Sequence, residues 1–192
     1  MNEPRTRGFF GLGAEGISKP ANFGALLRTA HAFGAAFAFS VGAGWAARDS
    51  RRADTADTPA HVPVYRWDTP GEMVLPDRCA LVGIEIADDA ADLPSFRHPL
   101  SAAYVLGAER GGLTRAMRDR CDHLVRIPTR FSLNLAVAGA LVLYDRLIQH
   151  GRFAERPVAP GGAVTAPEVR THGRPVFRRR VPDWAQEPDP AT

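Results

Sequence analysis

Short apolar segments alternate along this chain with segments whose apolar positions recur at helical spacing. The apolar segments predict six strands, over 8–13, 36–42, 62–67, 79–86, 102–106 and 123–128. The segments with helical spacing predict helices over 23–33 and 114–121. Strands and helices that alternate in this way are typical of an α/β domain.

The segment 133–148, LNLAVAGALVLYDRLI, predicts a third helix that is apolar on nearly every side. Such a helix is either buried in a large core or shared with another subunit. Because a domain of this size has little room to surround a helix completely, we expect this helix to form a homodimer interface.

Two stretches depart from the alternating pattern. Residues 45–59 are rich in Arg, Asp and Thr, lack apolar periodicity, and predict a long surface loop of a kind that is often functional. From residue 151 onward the chain is rich in Pro, Gly and Arg, which indicates a tail or a loosely docked arm. We therefore expect one domain over 1–150 and a tail over 151–192.

The composition of the 192 residues fits this picture, with 45% hydrophobic and 23% charged residues, as in an average soluble domain. No apolar run approaches the roughly 20 residues that span a bilayer. The N-terminus lacks the apolar core of a signal peptide, so a cytoplasmic location is expected. Cys79 and Cys121 support neither a disulfide framework nor a zinc site, and no other metal-ligand cluster is visible.

The charge is mildly basic, at +3, and Lys19 is the only lysine. Arginine suits bidentate contacts with phosphate. The same composition can also reflect the base composition of a genome. Basicity therefore permits an RNA partner without demonstrating one.

Three glycines, Gly11, Gly13 and Gly16, form the dinucleotide-binding pattern G-x-G-x-x-G. The pattern follows a predicted strand, but Lys19 and Pro20 interrupt the place where a phosphate-binding helix should run. No acidic residue follows about 20 positions later to hold a ribose. A nicotinamide-dependent oxidoreductase is therefore the less favoured interpretation.

The segment PANFGALLRTAHAFGA predicts a helix with Asn22 as its N-cap and Gly34 at its C-terminal stop. Its apolar residues fall on one side of that helix: Phe23, Leu26, Leu27, Ala30 and Phe33. Arg28 points away from this side, because each residue turns the helix by about 100°. From these residues alone, Asn22 could be a plain cap and Arg28 a solvated surface arginine.

The segment AYVLGAERGGLT places Glu109 just after a buried strand, in a glycine-rich turn. In an open α/β sheet, ligands bind at the carboxyl ends of strands. Gly107, Gly111 and Gly112 would allow close backbone approach there. An exposed Glu in an ordinary tight turn is the alternative.

The segment VRIPTRFSLNLAVAGALVLYD contains a strand, a short loop and the start of the apolar helix. Ser132 is a natural N-cap for that helix. Asn134 is expected in its first turn, where a polar side chain needs a partner from the backbone, a ligand or another subunit.

Taken together, these segments resemble the three motifs of the SpoU/TrmH family: N-x-G-A-x-x-R-T-A at 22–30, L-G-A-E-R-G-G-L at 106–113, and I-P followed by S-L-N-L-A-V-A within 127–138. They occur in that family's order, and the resemblance covers about residues 8–150. It implies a SPOUT fold, with a mostly parallel sheet, helices on both faces and a C-terminal trefoil knot. It also implies methyl transfer from S-adenosylmethionine to a ribose 2′-hydroxyl of RNA.

The resemblance further implies a cofactor site in the knot. The adenine of S-adenosylmethionine would be held by backbone groups around Gly107, Ile127 and Leu133. Ile84, at the end of the preceding strand, would adjoin them.

The catalytic residues are implied in the same way. Arg28 matches the arginine that acts on the ribose hydroxyl, and Asn22 the residue that shapes the adjoining loop. Glu109, Ser132 and Asn134 match the polar residues around that arginine. Because an arginine is a doubtful general base, a phosphate clamp is the favoured role for Arg28. No metal is needed, since positioning of an already activated methyl group can supply much of the rate.

The first motif begins almost at once, as in the minimal, tRNA-modifying members of the family, so tRNA is favoured over rRNA. The loop 45–59 and the tail, where Phe177 and Trp184 lie among arginines, would then recognise RNA by charge and stacking. A disordered tail and a non-catalytic RNA-binding protein with a degenerate SPOUT fold are the alternatives. The sequence does not identify the RNA or the methylated nucleotide.

Overall fold

The computed structural model describes residues 8–44, 61–108 and 111–151, together with 153, 156, 160 and 161. Within these residues the strands are β1 Phe10–Glu15, β2 Phe37–Val41, β3 Val64–Trp67, β4 Ala80–Ile84, β5 Ala91–Asp92, β6 Ala102–Leu106 and β7 His123–Arg126. The α-helices are α1 Pro20–Ala32, α2 Arg115–Arg118 and α3 Leu135–His150, and 3₁₀ turns occupy Pro70–Glu72 and Leu93–Ser95. The six predicted strands and three predicted helices are all present, and their ends are shifted except in the strand over 102–106, which matches β6. The two-residue β5 and the 3₁₀ turns are too short to produce a periodic pattern.

All strand pairs in the sheet are parallel, in the order β3-β2-β1-β6-β4-β7-β5. The carboxyl ends of β1, β4, β6 and β7 therefore meet at one edge, which we call the carboxyl edge. The chain divides into two units, 1–152 and 153–192, and every element above belongs to the first. The mostly parallel sheet predicted above is confirmed, while the trefoil knot and the domain boundary at residue 150 stay predictions.

Side chains from alternate strand residues build a core on each face of the sheet. On one face, Leu12, Val82 and Tyr104 pack with residues of α1 and α3. On the other face, Phe39 and Val105 pack with α2 and its neighbours. Helices therefore cover both faces, as predicted. No helix within the described residues has both the length and the apolar character that crossing a bilayer requires.

The first two glycines of the G-x-G-x-x-G pattern serve packing within the sheet. A Cβ on Gly11 would lie 2.3 Å from the ring of Phe37, and one on Gly13 would lie 2.4 Å from the ring of Phe39. Both glycines are buried residues of β1. The two rings of β2 thus account for these two glycines without a bound dinucleotide.

The N-cap residues of α1 and α3 differ from the predicted ones. Helix α1 begins at Pro20 with Lys19 as N-cap, so Asn22 lies in the first turn and the prediction that it caps the helix is wrong. Proline is favoured at this first position because its missing N–H would have no helical partner there. The predicted C-terminal stop is confirmed, because Gly34, with φ +72°, directly follows the C-cap.

Helix α3 is capped by Asn134, and the prediction that Ser132 caps it is wrong. The Asn134 side-chain oxygen accepts a hydrogen bond from the Ala136 N–H at 3.0 Å. Ser132 therefore lies in the loop before the helix, where its hydroxyl is exposed.

The two sides of α3 have different surroundings. One side packs closely on α1, because Gly139 has no side chain and a Cβ there would lie 3.0 Å from Leu26 Cδ1. The other side carries a row of exposed apolar side chains, which we call the α3 stripe: Val137, Leu141, Tyr144 and Ile148.

A buried polar network anchors the C-terminal half of α3. The Arg146 side chain, only 1% exposed, donates to the carbonyls of Pro99 at 2.5 Å and Leu100 at 2.6 Å, and to Tyr104 Oη at 3.2 Å. The Tyr104 hydroxyl lies 2.7 Å from His98 Nδ1. This network ties α3 to the segment that precedes β6.

The histidine of this network has a pKa below its ordinary value. Burial lowers the pKa of His98, although the nearby Asp145 carboxylate opposes that shift. A consistent arrangement has the Tyr104 hydroxyl donating to Nδ1 and the His98 Nε2–H donating to Asp145 across 3.0 Å. Burial also raises the pKa of Tyr104 to about 12, so its hydroxyl keeps its proton.

We predict that Arg146→Leu lowers the free energy of unfolding by about 3 kcal/mol, because it leaves two carbonyls and a buried hydroxyl without their donor. Denaturant unfolding would measure the change. Arg115→Leu is the matched control, since the Arg115 side chain is 94% exposed, and we expect it to change stability by less than about 0.5 kcal/mol. Equal stability of the two variants would show that the network contributes little.

Candidate functional site

A cleft with a cavity volume of about 160 Å³ opens at the carboxyl edge. We call it the first cleft. It lies between the ends of β4, β6 and β7 and the beginning of α3. Ile84, Leu106 and Ile127 give it apolar walls at the strand ends, and Leu135 and Ala138 close it from the helix. This is the edge at which open α/β sheets bind ligands.

The four residues predicted to bind a cofactor all line the first cleft: Ile84, Gly107, Ile127 and Leu133. They come from four separate segments of the chain, and the order of the strands brings them together. Ser132 lines the same cleft. The geometry therefore places them where one small molecule could contact all of them.

The backbone after β6 turns back on itself at the floor of this cleft. Ala108 and Gly112 exchange two backbone hydrogen bonds, of 3.2 and 3.1 Å. Gly111 and Gly112 have φ values of +132° and +69°, which side chains disfavour. A Cβ on Gly107 would lie 2.3 Å from the Gly112 carbonyl carbon, so this turn requires glycine there. We call residues 107, 108 and 111–113 the glycine loop.

A carboxylate at the end of β4 holds the glycine loop from within the first cleft. Glu85 accepts hydrogen bonds from the Leu113 N–H at 2.5 Å and from the Ile86 N–H at 3.0 Å. A Cβ on Gly112 would lie 2.2 Å from Glu85 Oε2, so the carboxylate rests directly against the loop.

A second carboxylate, from β1, holds the residue that follows the loop. Glu15 is buried and accepts from the Thr114 N–H at 2.8 Å and from the Thr114 hydroxyl at 2.6 Å. Our sequence reasoning missed both Glu15 and Glu85. The available signal was an acidic residue at the carboxyl end of a buried strand, where ligands and loops meet.

A second cleft adjoins the first, because Ala108 and Leu135 line both. Lys19 and Asn22, from the start of α1, line only the second cleft. Of the residues predicted to be catalytic, Asn22 and Ser132 thus lie in neighbouring clefts.

The other predicted catalytic residues are placed differently. Arg28 is exposed on α1 and lines neither cleft. Asn134 is exposed, and its side-chain oxygen caps α3. Glu109 falls outside the described residues.

The first cleft suits an adenosine-like molecule. Its apolar walls can hold a planar ring, and Gly107 and Gly112 line the cleft without side chains. The described chain contains no group of three or more His, Cys, Asp or Glu side chains that could hold a metal ion. A parallel sheet with such a cleft at its carboxyl edge is typical of α/β domains that bind nucleotide-like cofactors.

Comparison with known proteins identifies the family. Residues 10–144 match the SpoU rRNA Methylase family, and the chain belongs to it. A protein of Staphylococcus aureus (strain COL), assigned to the TrmH family of tRNA/rRNA methyltransferases, is 32% identical over 145 residues. A similarly assigned protein of Staphylococcus haemolyticus (strain JCSC1435) is 30% identical over 138 residues. Each match covers 68% of this chain and 55% of the relative, so the chain spans about half the length of these relatives.

Solved structures share the fold. The SpoU methyltransferase AviRb from Streptomyces viridochromogenes, in complex with the cofactor AdoMet, is 27% identical with a TM-score of 0.68. That match covers 78% of this chain and 62% of AviRb. A structure described for 2-OH methylation of C/U34 on tRNA is 25% identical with a TM-score of 0.65, covering 74% of this chain and 96% of that one.

Proposed function

We propose that this chain transfers a methyl group from S-adenosylmethionine to a ribose 2′-hydroxyl of RNA. The observation that carries the proposal is the first cleft, where Ile84, Gly107, Ile127 and Leu133 meet at the carboxyl edge of a SpoU-family sheet. AviRb, with the same fold, contains AdoMet, and another neighbour acts on a 2-OH of tRNA. The first neighbour supports the proposed cofactor, and the second supports the proposed position.

In this proposal the first cleft binds the cofactor. The side chains of Ile84 and Ile127 exclude water from the adenine, and backbone groups at Gly107, Ile127 and Leu133 hydrogen-bond to its edge. S-adenosylmethionine supplies an activated methyl group on its sulfonium. The task left to the protein is to hold the acceptor oxygen in line with that group.

The second cleft is the proposed place for the RNA backbone. Lys19 can neutralise a phosphate there, and Asn22 and Ser132 can hydrogen-bond to the sugar and its flanking groups. The Asn134 oxygen is engaged by the helix cap, so its amide N–H groups are what it can offer to RNA. Residues 45–59 and most of 151–192 fall outside the described residues. We propose both segments as further RNA contacts, and tRNA rather than rRNA as the substrate.

Arg28 is proposed to clamp a phosphate beside the reacting ribose. Its exposed guanidinium can reach RNA that lies over α1, and a planar charged group suits bidentate phosphate binding better than proton abstraction. Its contribution would appear in the positioning of RNA and in the stabilisation of developing negative charge.

We also propose that the chain forms a homodimer through the α3 stripe. Its four side chains are between 37% and 53% exposed and recur at positions that share one helix face. A second copy would cover this apolar face with the same face of its own helix, as two-fold symmetric interfaces require.

Mapping the methyl group tests the proposed chemistry. We expect labelled methyl from S-adenosylmethionine to enter fractionated cellular RNA and, after digestion to nucleosides, to stay with the ribose on mass spectrometry. A methyl group that leaves with the free base would contradict the ribose assignment. Failure of calorimetry to detect cofactor binding would instead favour a non-catalytic RNA-binding protein.

Arg28→Ala should lower methyl transfer at least about 100-fold, because it removes a charge-stabilising contact made to the RNA in the transition state. Affinity for S-adenosylmethionine should stay within about threefold, since Arg28 lines neither cleft. Single-turnover transfer and calorimetry measure the two effects separately. Arg115→Ala, on the opposite face of the sheet, is the control and should leave both unchanged. If Arg28→Ala lost affinity for S-adenosylmethionine as strongly as it lost methyl transfer, the clamp role would be contradicted.

Leu141→Asp should convert the dimer to a folded monomer, because a charge would be buried at the centre of the α3 stripe. Light scattering at micromolar concentration measures the state, and circular dichroism checks the fold. Val74→Asp is the matched control, since Val74 is an exposed apolar residue outside the stripe, at 75% exposure. A wild-type chain that is already a folded monomer would rule the dimer out.

A further inference from the structure

Glu85 is the one charged side chain among the described residues that line the first cleft. The other described lining residues are aliphatic, glycine, or carry a single hydroxyl. A charge surrounded by apolar groups acts through a lower effective dielectric constant than a charge in water, so its effect on a bound molecule is larger.

Contacts with the backbone hold this charge in place. Each carboxylate oxygen of Glu85 accepts one N–H, from Leu113 at 2.5 Å and from Ile86 at 3.0 Å. The carboxylate also lies against Gly112, where only a glycine leaves room for it. Because each oxygen has a further lone pair, the group can still act on a ligand in the cleft.

We propose that Glu85 makes the first cleft select the charged cofactor over the spent one. This inference rests on the proposed function. S-adenosylmethionine carries a positive sulfonium, and S-adenosylhomocysteine, left after the methyl group has gone, carries a neutral thioether in its place. The Glu85 carboxylate attracts the sulfonium and does not attract the thioether. The cleft thus retains the methyl donor and releases the product more readily.

The test is calorimetric binding of both molecules to Glu85→Gln, which keeps the outline of the side chain, removes its charge and replaces one of its two accepting oxygens with an NH2 group. We expect affinity for S-adenosylmethionine to fall about tenfold and affinity for S-adenosylhomocysteine to change by less than about threefold. The ratio of the two affinities is the decisive quantity, because a general loosening of the cleft weakens both ligands alike.

Glu15→Gln is the matched control. Glu15 holds the end of the same loop through Thr114 but does not line the first cleft. We expect this variant to leave the affinity ratio unchanged, even if both affinities fall. Glu85→Asp keeps the charge and shortens the side chain, so it should preserve the ratio to within about threefold.

A Glu85→Gln variant that loses affinity for both ligands equally, or for neither, overturns the inference. If thermal melting shows that Glu85→Gln does not fold, the affinity ratio is measured in Glu85→Asp instead. Because this variant keeps the charge, loss of its preference for S-adenosylmethionine also overturns the inference. Wild-type protein that binds neither ligand would reject the proposed function itself, which is a different result from an unchanged ratio.

Discussion

The glycine loop comes closer to the end of β6 than any side chain would allow. At Gly107 the backbone of residues 112 and 113 takes the space that a Cβ would fill, 2.3 and 2.4 Å away. This approach lets the chain reverse at the carboxyl edge, and Gly107, Ala108 and Gly112 line the first cleft. The walls contributed by β4, β7 and α3 form a cleft only because this floor is in place.

Two carboxylates stabilise that floor, and their surroundings differ. Glu15 is buried and satisfied by the N–H and hydroxyl of Thr114, which offsets the cost of removing a charged group from water. Glu85 is half-buried and faces the cleft, so its charge is available to a ligand. Similar hydrogen bonds thus hold Leu113, in the glycine loop, and Thr114, directly after it. Of the two acids, only Glu85 lines the first cleft and can act on a ligand there.

Helix α3 links the cleft, the core and the proposed dimer. Its first turns close the first cleft through Leu135 and Ala138, and its far end is anchored by the Arg146 network. Its inner side packs on α1 through Gly139, and its outer side carries the α3 stripe. A second subunit on that stripe would therefore stiffen a helix that also forms one wall of the cleft.

By itself the sequence determined those features that depend on neighbouring residues. The strand at 102–106 matched β6 in full because a short, fully buried apolar run has few alternatives, and Gly34 marked the end of α1 because its backbone conformation favours glycine. The cofactor residues came from resemblance to a family.

Only the tertiary structure decided which cap candidate was used at each helix, since Asn22 and Ser132 were plausible until the path of the chain was known. It also decided the roles of Glu15 and Glu85, whose partners lie 99 and 28 residues away. Contacts of that range depend on the order of strands in the sheet, which no local pattern of residues encodes.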